Sequence, residues 1–339
     1  MLDSAEWTLN GETLGAWMTI VYSVMMLMGL TFFVKKQVPR EPFKPVFWGP
    51  IFFFFWLVMG NLLLVLGFSL VLYLLATVTI YPDLAANFGK ETSEGLDPQT
   101  MQIMFISSAL AMGFSLMAAN LWLLYSAEKR IDYQTKREIF EQLGWKWNRR
   151  LQDVGLGMAV AIAAIPGVMG LQWLLTQLVG EDATPHAVEQ FLTRYPSGFN
   201  FIICGLAVVV AAPIWEEFLF RRVLQGWLIT RLGTWSKKDG TLPVLGTILP
   251  ISIGAVIFAA LHFEQWPAPM TLFLFAVILG YLYHYTQSLV PCIVVHACLN
   301  GTSLAGIFFF QNETPETVGK IIDLSTIQVF IMEALRFLA

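Results

Sequence analysis

Glu216 and Glu217 stand side by side in an apolar run that starts near Phe199, and Arg221 follows four residues later. His262 closes the next apolar run, and His296 and Asn300 sit four apart inside a third. Ionisable groups at membrane depth are expensive, so by default they mark a functional site. Neighbours on a helix point about 100° apart, so the two glutamates cannot face one cavity equally. Glu217 and Arg221 share a helical face and suit an ion pair. That pairing leaves Glu216 as the odd carboxylate, and an unpaired carboxylate in an apolar cavity suits a general base near neutral pH. His296 and Asn300 lie one turn apart, and two hydrogen-bonding side chains aimed at one spot can hold the oxyanion of a tetrahedral intermediate. A plainer reading stands beside each motif. Glu216, Glu217 and Arg221 also fit a snorkelling cluster at the headgroup boundary. His262, at the end of Phe258-Ala-Ala-Leu-His262, also fits an interface residue, and His296 with Asn300 fits an interhelical clamp.

These residues must be positioned by membrane helices. The chain is 56% hydrophobic and only 13% charged, with a mean hydropathy of +0.64, whereas soluble domains carry about 25% charge. About 20 apolar residues span a bilayer, and the predicted spans are Leu14–Val34, Phe47–Tyr81, Met101–Tyr125, Val154–Val179, Phe199–Ile229, Val244–His262, Met270–Tyr285 and Leu289–Phe310. The expected fold class is therefore an all-α polytopic bundle of about eight transmembrane helices. Val318–Leu338 is amphipathic and reads as an interfacial helix, with a poorly hydrophobic last span as the alternative. There is no basic stripe or zinc-knuckle spacing, which argues against a nucleic-acid partner. Cys204, Cys292 and Cys298 lie in apolar runs without CxxC spacing and read as packing residues.

Loop charge sets the orientation. Lys35, Lys36, Arg40 and Lys44 follow the first span, and a basic stretch from Lys129 to Arg150 follows the third. Arg221, Arg222, Arg231, Lys237 and Lys238 lie at or beyond the end of the fifth, and the alternate loops are acidic. Basic loops stay cytoplasmic, so the N-terminus is expected outside, with a bacterial cytoplasmic membrane as the expected location. The segment Ser126–Gln152 is the best internal boundary, dividing the chain into residues 1–152, 153–312 and 313–339. A simple crossing of the sixth span would leave His262 near the outer surface, away from Glu216 and His296. A shared site therefore predicts that this span starts deep, tilts, or breaks at Pro250, or that Glu264–Pro269 re-enters the membrane. His186 and His284 are assigned no catalytic role.

The set Glu216-Glu217-x-x-x-Arg221, Phe258-x-x-x-His262 and His296-x-x-x-Asn300 resembles the CAAX protease and bacteriocin-processing family of glutamate-dependent intramembrane peptidases. The flanks Ala212-Pro213 and Ser288-Leu289-Val290-Pro291 are similar as well, and the resemblance covers roughly Val154 to Phe310. It implies that Glu216 activates the attacking water, that His262 binds and orients that water, and that His296 and Asn300 hold the oxyanion. Glu217, Arg221 and Phe258 support the site. It implies a membrane-embedded or lipidated peptide or protein as substrate. No cofactor is expected. Should a divalent metal such as zinc take part, Glu216, His262 and His296 are its candidate ligands, although the sequence has no HExxH. Two other readings remain: a catalytically silent scaffold or immunity protein of the same family, and a proton-coupled transporter. The latter would show paired inverted repeats, and none is visible.

Overall fold

The computed structural model describes residues 11–37, 46, 50–79, 91–92, 95–96, 98–130, 140–141, 143–146, 149–180, 183–232 and 244–310. The amphipathic segment Val318–Leu338 lies outside them. The helices, numbered in chain order, are α1 (Gly11–Gln37), α2 (Pro50–Thr79), α3 (Pro98–Arg130), α4 (Arg150–Val179), the short α5 (Ala187–Arg194), α6 (Gly198–Leu232), α7 (Val244–Ala260), α8 (Ala268–Thr286) and α9 (Val290–Phe310). A two-residue antiparallel pairing, Glu91–Thr92 with Gly95–Leu96, precedes α3. Seven of the helices are long and apolar enough to cross a membrane, and Gly246–Ala260 in α7 is a shorter apolar one. The chain is an all-α polytopic membrane bundle, and each predicted span coincides with one of these helices.

The bundle is assembled from helix pairs: α1 with α4, α2 with α3, α4 with α9, and α7 with α8. Lipid offers no hydrophobic force between helices, so close approach relies on small residues and polar contacts. A side chain at Gly170 would meet Thr19 and the Ala16 carbonyl of α1, and one at Gly157 would meet the Pro291 carbonyl of α9. Pro166 lies inside α4 and disturbs its ladder. The next N–H, that of Gly167, donates instead to the buried Ser23 Oγ of α1 at 2.7 Å.

Helix α6 carries the glutamates and is not a plain α-helix. Gly205–Ala211 and Phe218–Gln225 are π-helical, and they flank a six-residue α-helical segment, Ala212–Glu217. Long π stretches are rare and concentrate at functional sites. Every residue from Phe218 to Gly226 is buried, as expected of a helix at the bundle centre. This corrects one expectation. Arg221 and Arg222 are not loop charges; they lie within α6, with 0% and 2% exposure.

Helix α7 is also not as expected. Pro250 sits inside it without ending it, so there is no break. Its 17 residues give about 26 Å at the usual rise, less than the hydrocarbon thickness of about 30 Å. The chain then turns at Leu261–Pro267, and His262 lies in that turn.

Candidate active site

Three helices bring the polar residues together. From α6, Glu217 is fully buried and accepts from Arg221 Nε at 2.7 Å. Its other carboxylate oxygen lies 2.8 Å from Nδ1 of His296 on α9. Glu217 thus bridges Arg221 and His296, which lies 79 residues further along the chain, going beyond the local ion pair expected from spacing. Because a carboxylate only accepts, His296 carries its proton on Nδ1, which leaves Nε2 facing the second glutamate. Nε2 lies 3.8 Å from Glu216 Oε2, beyond hydrogen-bond reach but close enough for one water to touch both. The glutamates differ in access: the Glu216 side chain is 18% exposed and that of Glu217 0%. The less tightly held carboxylate is the one that reaches open space.

His262 joins from the turn after α7. Its Nδ1 lies 2.8 Å from the Phe258 carbonyl, so Nδ1–H donates and Nε2 is left as an acceptor. The Phe258 ring stands between the two imidazoles, 4.8 Å from His262 and 5.9 Å from His296 between centroids. Phe220 packs edge-on against it at 5.0 Å, and the Arg221 guanidinium lies 5.9 Å from its centroid. Phe275 closes the far side of His296 at 5.6 Å. His262 is near enough to Glu216 to feel its charge. The short α7, rather than a break, reconciles its position with the other residues.

Asn300 has a role that spacing did not reveal. Its Nδ2 donates to the Val208 carbonyl at 2.7 Å. Val208 lies in the first π-helical stretch, where Ala212 N–H reaches back five residues to Ala207 O. The donor at that same spacing for Val208 would be Pro213, which has no N–H. The π stretch and the proline together leave Val208 O without its helical donor, and Asn300 supplies one. One Asn300 N–H is thereby committed to holding α6 in this shape, and the second remains for a ligand.

Among the described residues, no three His, Cys, Asp or Glu side chains are placed to share one ion. Glu216, His262 and His296 are neighbours here without the convergence of a three-ligand centre. The three cysteines are unpaired by disulfide.

His186, given no role by the sequence, lies within electrostatic reach of His262. Its loop docks on the His262 turn, where Thr184 Oγ1 donates to the Glu264 carbonyl at 2.6 Å and Thr184 N–H to Trp266 O at 2.8 Å. His186 caps α5, with Nδ1 accepting Val188 N–H at 3.0 Å. Desolvation, then the His262 charge, lower its pKa below the ordinary 6.5. A histidine shifted this way resists protonation when folded, so its cap is still intact at pH 6.5 and is lost only as pH falls through the lowered folded-state value. Hydrogen exchange at Val188 should therefore show lower protection in buffer taken well below pH 6.5 than at about pH 7.5, after correction for intrinsic rates. Equal protection would remove the cap from the account.

Residues 198–302, about a third of the chain, match the family model described as type II CAAX prenyl endopeptidase Rce1-like. This region is similar to the CAAX protease family. The matched segment runs from the start of α6 into α9 and contains Glu216, Glu217, Arg221, His262, His296 and Asn300. No curated protein and no solved structure matches the chain. The matched region thus coincides with the helices that gather the polar cluster, and α1 to α5 lie outside it.

Proposed function

We propose that the chain is an intramembrane endopeptidase that hydrolyses a peptide bond by glutamate-activated water. The observation that carries this reading is the pairing of one closed and one open carboxylate around His296. Glu217 is consumed by Arg221 and His296 Nδ1, whereas Glu216 is partly open and faces His296 Nε2. A water between Glu216 and His262 Nε2 has an acceptor for its proton and a second group to fix its orientation. Attack on a carbonyl carbon transfers the water proton to Glu216 and leaves a tetrahedral oxyanion. Glu216 then returns that proton to the leaving amine, and no acyl-enzyme forms.

The oxyanion would be held by His296 Nε2–H and the second Asn300 N–H. With Nδ1–H engaged by Glu217, donation from Nε2 requires the imidazolium. That form also balances the buried charge, since Glu216 and Glu217 against Arg221 alone leave one negative charge unmatched. His296→Ala should lower turnover by about 10²–10³ with little change in substrate affinity. Asn300→Ala should lose at least as much, because it also orphans Val208 O. A weakened KM with normal kcat in both would reject the oxyanion role.

The substrate class is argued from the setting. Glu216 opens within a helix bundle that sits in lipid, which favours a membrane-embedded or lipidated peptide or protein. We place the basic loops on the cytoplasmic side, in a bacterial membrane, with the N-terminus outside. The deciding experiment compares the membrane proteomes of cells carrying the wild type and Glu216→Gln. A peptide or protein that accumulates uncut only in the variant supports proteolysis and supplies a substrate. Identical proteomes, together with binding of a membrane partner by both forms, would favour the silent scaffold.

A further inference from the structure

Three polar contacts run along α3, and each ends on α6 or on a group packed against it. Gln102 Nε2 donates to Asn200 Oδ1 at 2.8 Å near the start of α6. Trp215 Nε1 donates to Ser115 Oγ at 2.7 Å. Trp145 Nε1 donates to Asn120 Oδ1 at 3.1 Å, and the Trp145 ring stacks on Phe218 at 6.5 Å and 11°. The middle contact is relayed further, because Ser115 Oγ lies 3.1 Å from Asn61 Oδ1 on α2. Trp215 immediately precedes Glu216, and both Ser115 and Trp215 are buried.

We propose that Ser115, backed by Asn61, is a positioning residue for Glu216, and that α2 and α3 are part of the catalytic unit although they lie outside the matched family region. This rests on Glu216 being the general base. The physical reason lies in the shape of α6. The short segment Ala212–Glu217 is joined at both ends to π-helical turns. Relaxing one π turn to the commoner α form removes one residue from the turn and rotates the rest of the helix by about 100°. The α6 ladder switches between π and α spacing on both sides of Glu216, so side-chain contacts with other helices help to set the angle at which Glu216 points. Glu217 is held by His296 of α9 on one face. Trp215, two residues earlier, is held by Ser115 on another, and Phe218 is held through Trp145. Clasps on different faces fix the rotation of a helix, which a single clasp cannot do. Ser115 acts on the carboxylate only through Trp215 and touches no substrate.

The test uses the full chain in lipid nanodiscs, with two readouts. In the first, the substrate identified with Glu216→Gln is assayed with Ser115→Ala, Trp215→Phe and the double variant. Each single variant should lower kcat by about 10–10² with KM within about twofold, because sub-ångström misplacement costs rate rather than binding. The double variant should lose no more than the worse single one, since both break one contact. In the second, Glu216→Cys is labelled by a water-soluble maleimide with and without Ser115→Ala. The labelling rate should change at least about threefold, as the side chain at 216 leaves its open position. This arm needs no substrate and survives if the proteolytic reading fails. Wild-type kcat in Ser115→Ala, additive losses in the double variant, or an unchanged labelling rate would each overturn the proposal. Failure of Glu216→Gln to affect cleavage would instead overturn the general-base reading on which it rests.

Discussion

Glu216→Gln should abolish cleavage while the protein remains folded and inserted. Glutamine keeps the shape and the hydrogen-bonding reach of the side chain but cannot take a proton from water. General-base assistance is worth about 10²–10⁴ in rate, so turnover should fall by at least about 10² if no other group substitutes. The neighbouring glutamate is not available as a substitute, because Glu217 has 0% exposure and both its oxygens are engaged. The contrast between the two carboxylates makes the result informative. Glu216→Gln removes the open one and disturbs no ion pair shorter than 3.8 Å, so its stability should stay close to that of the wild type. The measurement is single-turnover cleavage in nanodiscs, paired with a thermal melt in the same preparation. Retained cleavage would reject Glu216 as the base, and an accompanying collapse in stability would mean that the residue is structural.

The site is partly legible in the sequence, and the boundary between visible and hidden has a physical cause. Pairings within one helix follow from spacing, and so Glu217 with Arg221 is readable four residues apart. Pairings between helices are set by how the helices rotate and stack, and so the bond from Glu217 to His296 is not. Arg221 and Arg222 read as loop charges because charge ordinarily marks the end of a span. Here a widened helix at the bundle centre encloses them, and Arg222 reaches the Tyr283 hydroxyl at 3.3 Å instead of the headgroups. Pro213 reads only as a flank. Its consequence, a carbonyl at Val208 that needs Asn300, depends on a π-helical stretch that hydropathy does not register. The seven long apolar helices are legible because apolar length alone decides them, whereas the shortness of α7 is obscured by the apolar residues of the turn after it. Asn61, Ser115 and Trp215 are the missed signals. Two polar side chains in otherwise apolar spans need partners, and the indole beside Glu216 is one.

Glu217→Ala should have the largest effect on stability of any substitution in the site, and it separates structural from catalytic duty. Removing the carboxylate leaves the Arg221 guanidinium, itself at 0% exposure, without its counter-ion at the centre of the bundle. Breaking a buried pair from one side costs about 3–5 kcal/mol, because the remaining charge is neither solvated nor compensated. For a chain of this size the melting temperature should fall by roughly 5 °C. The second arm is Glu217→Leu with Arg221→Met, which removes both charges and fills the space with apolar atoms. Replacing a buried ion pair in this way is often neutral, so most of the lost stability should return. Activity should not return, because His296 Nδ1 has then lost the acceptor that fixes its proton and ring orientation. A stable but inactive double variant is the expected outcome, measured by melting and turnover on the same samples. If Glu217→Ala melts like the wild type, the guanidinium is reached by water and the site is not sealed. If the double variant cleaves normally, Glu217 holds the helices together and does nothing for the imidazole.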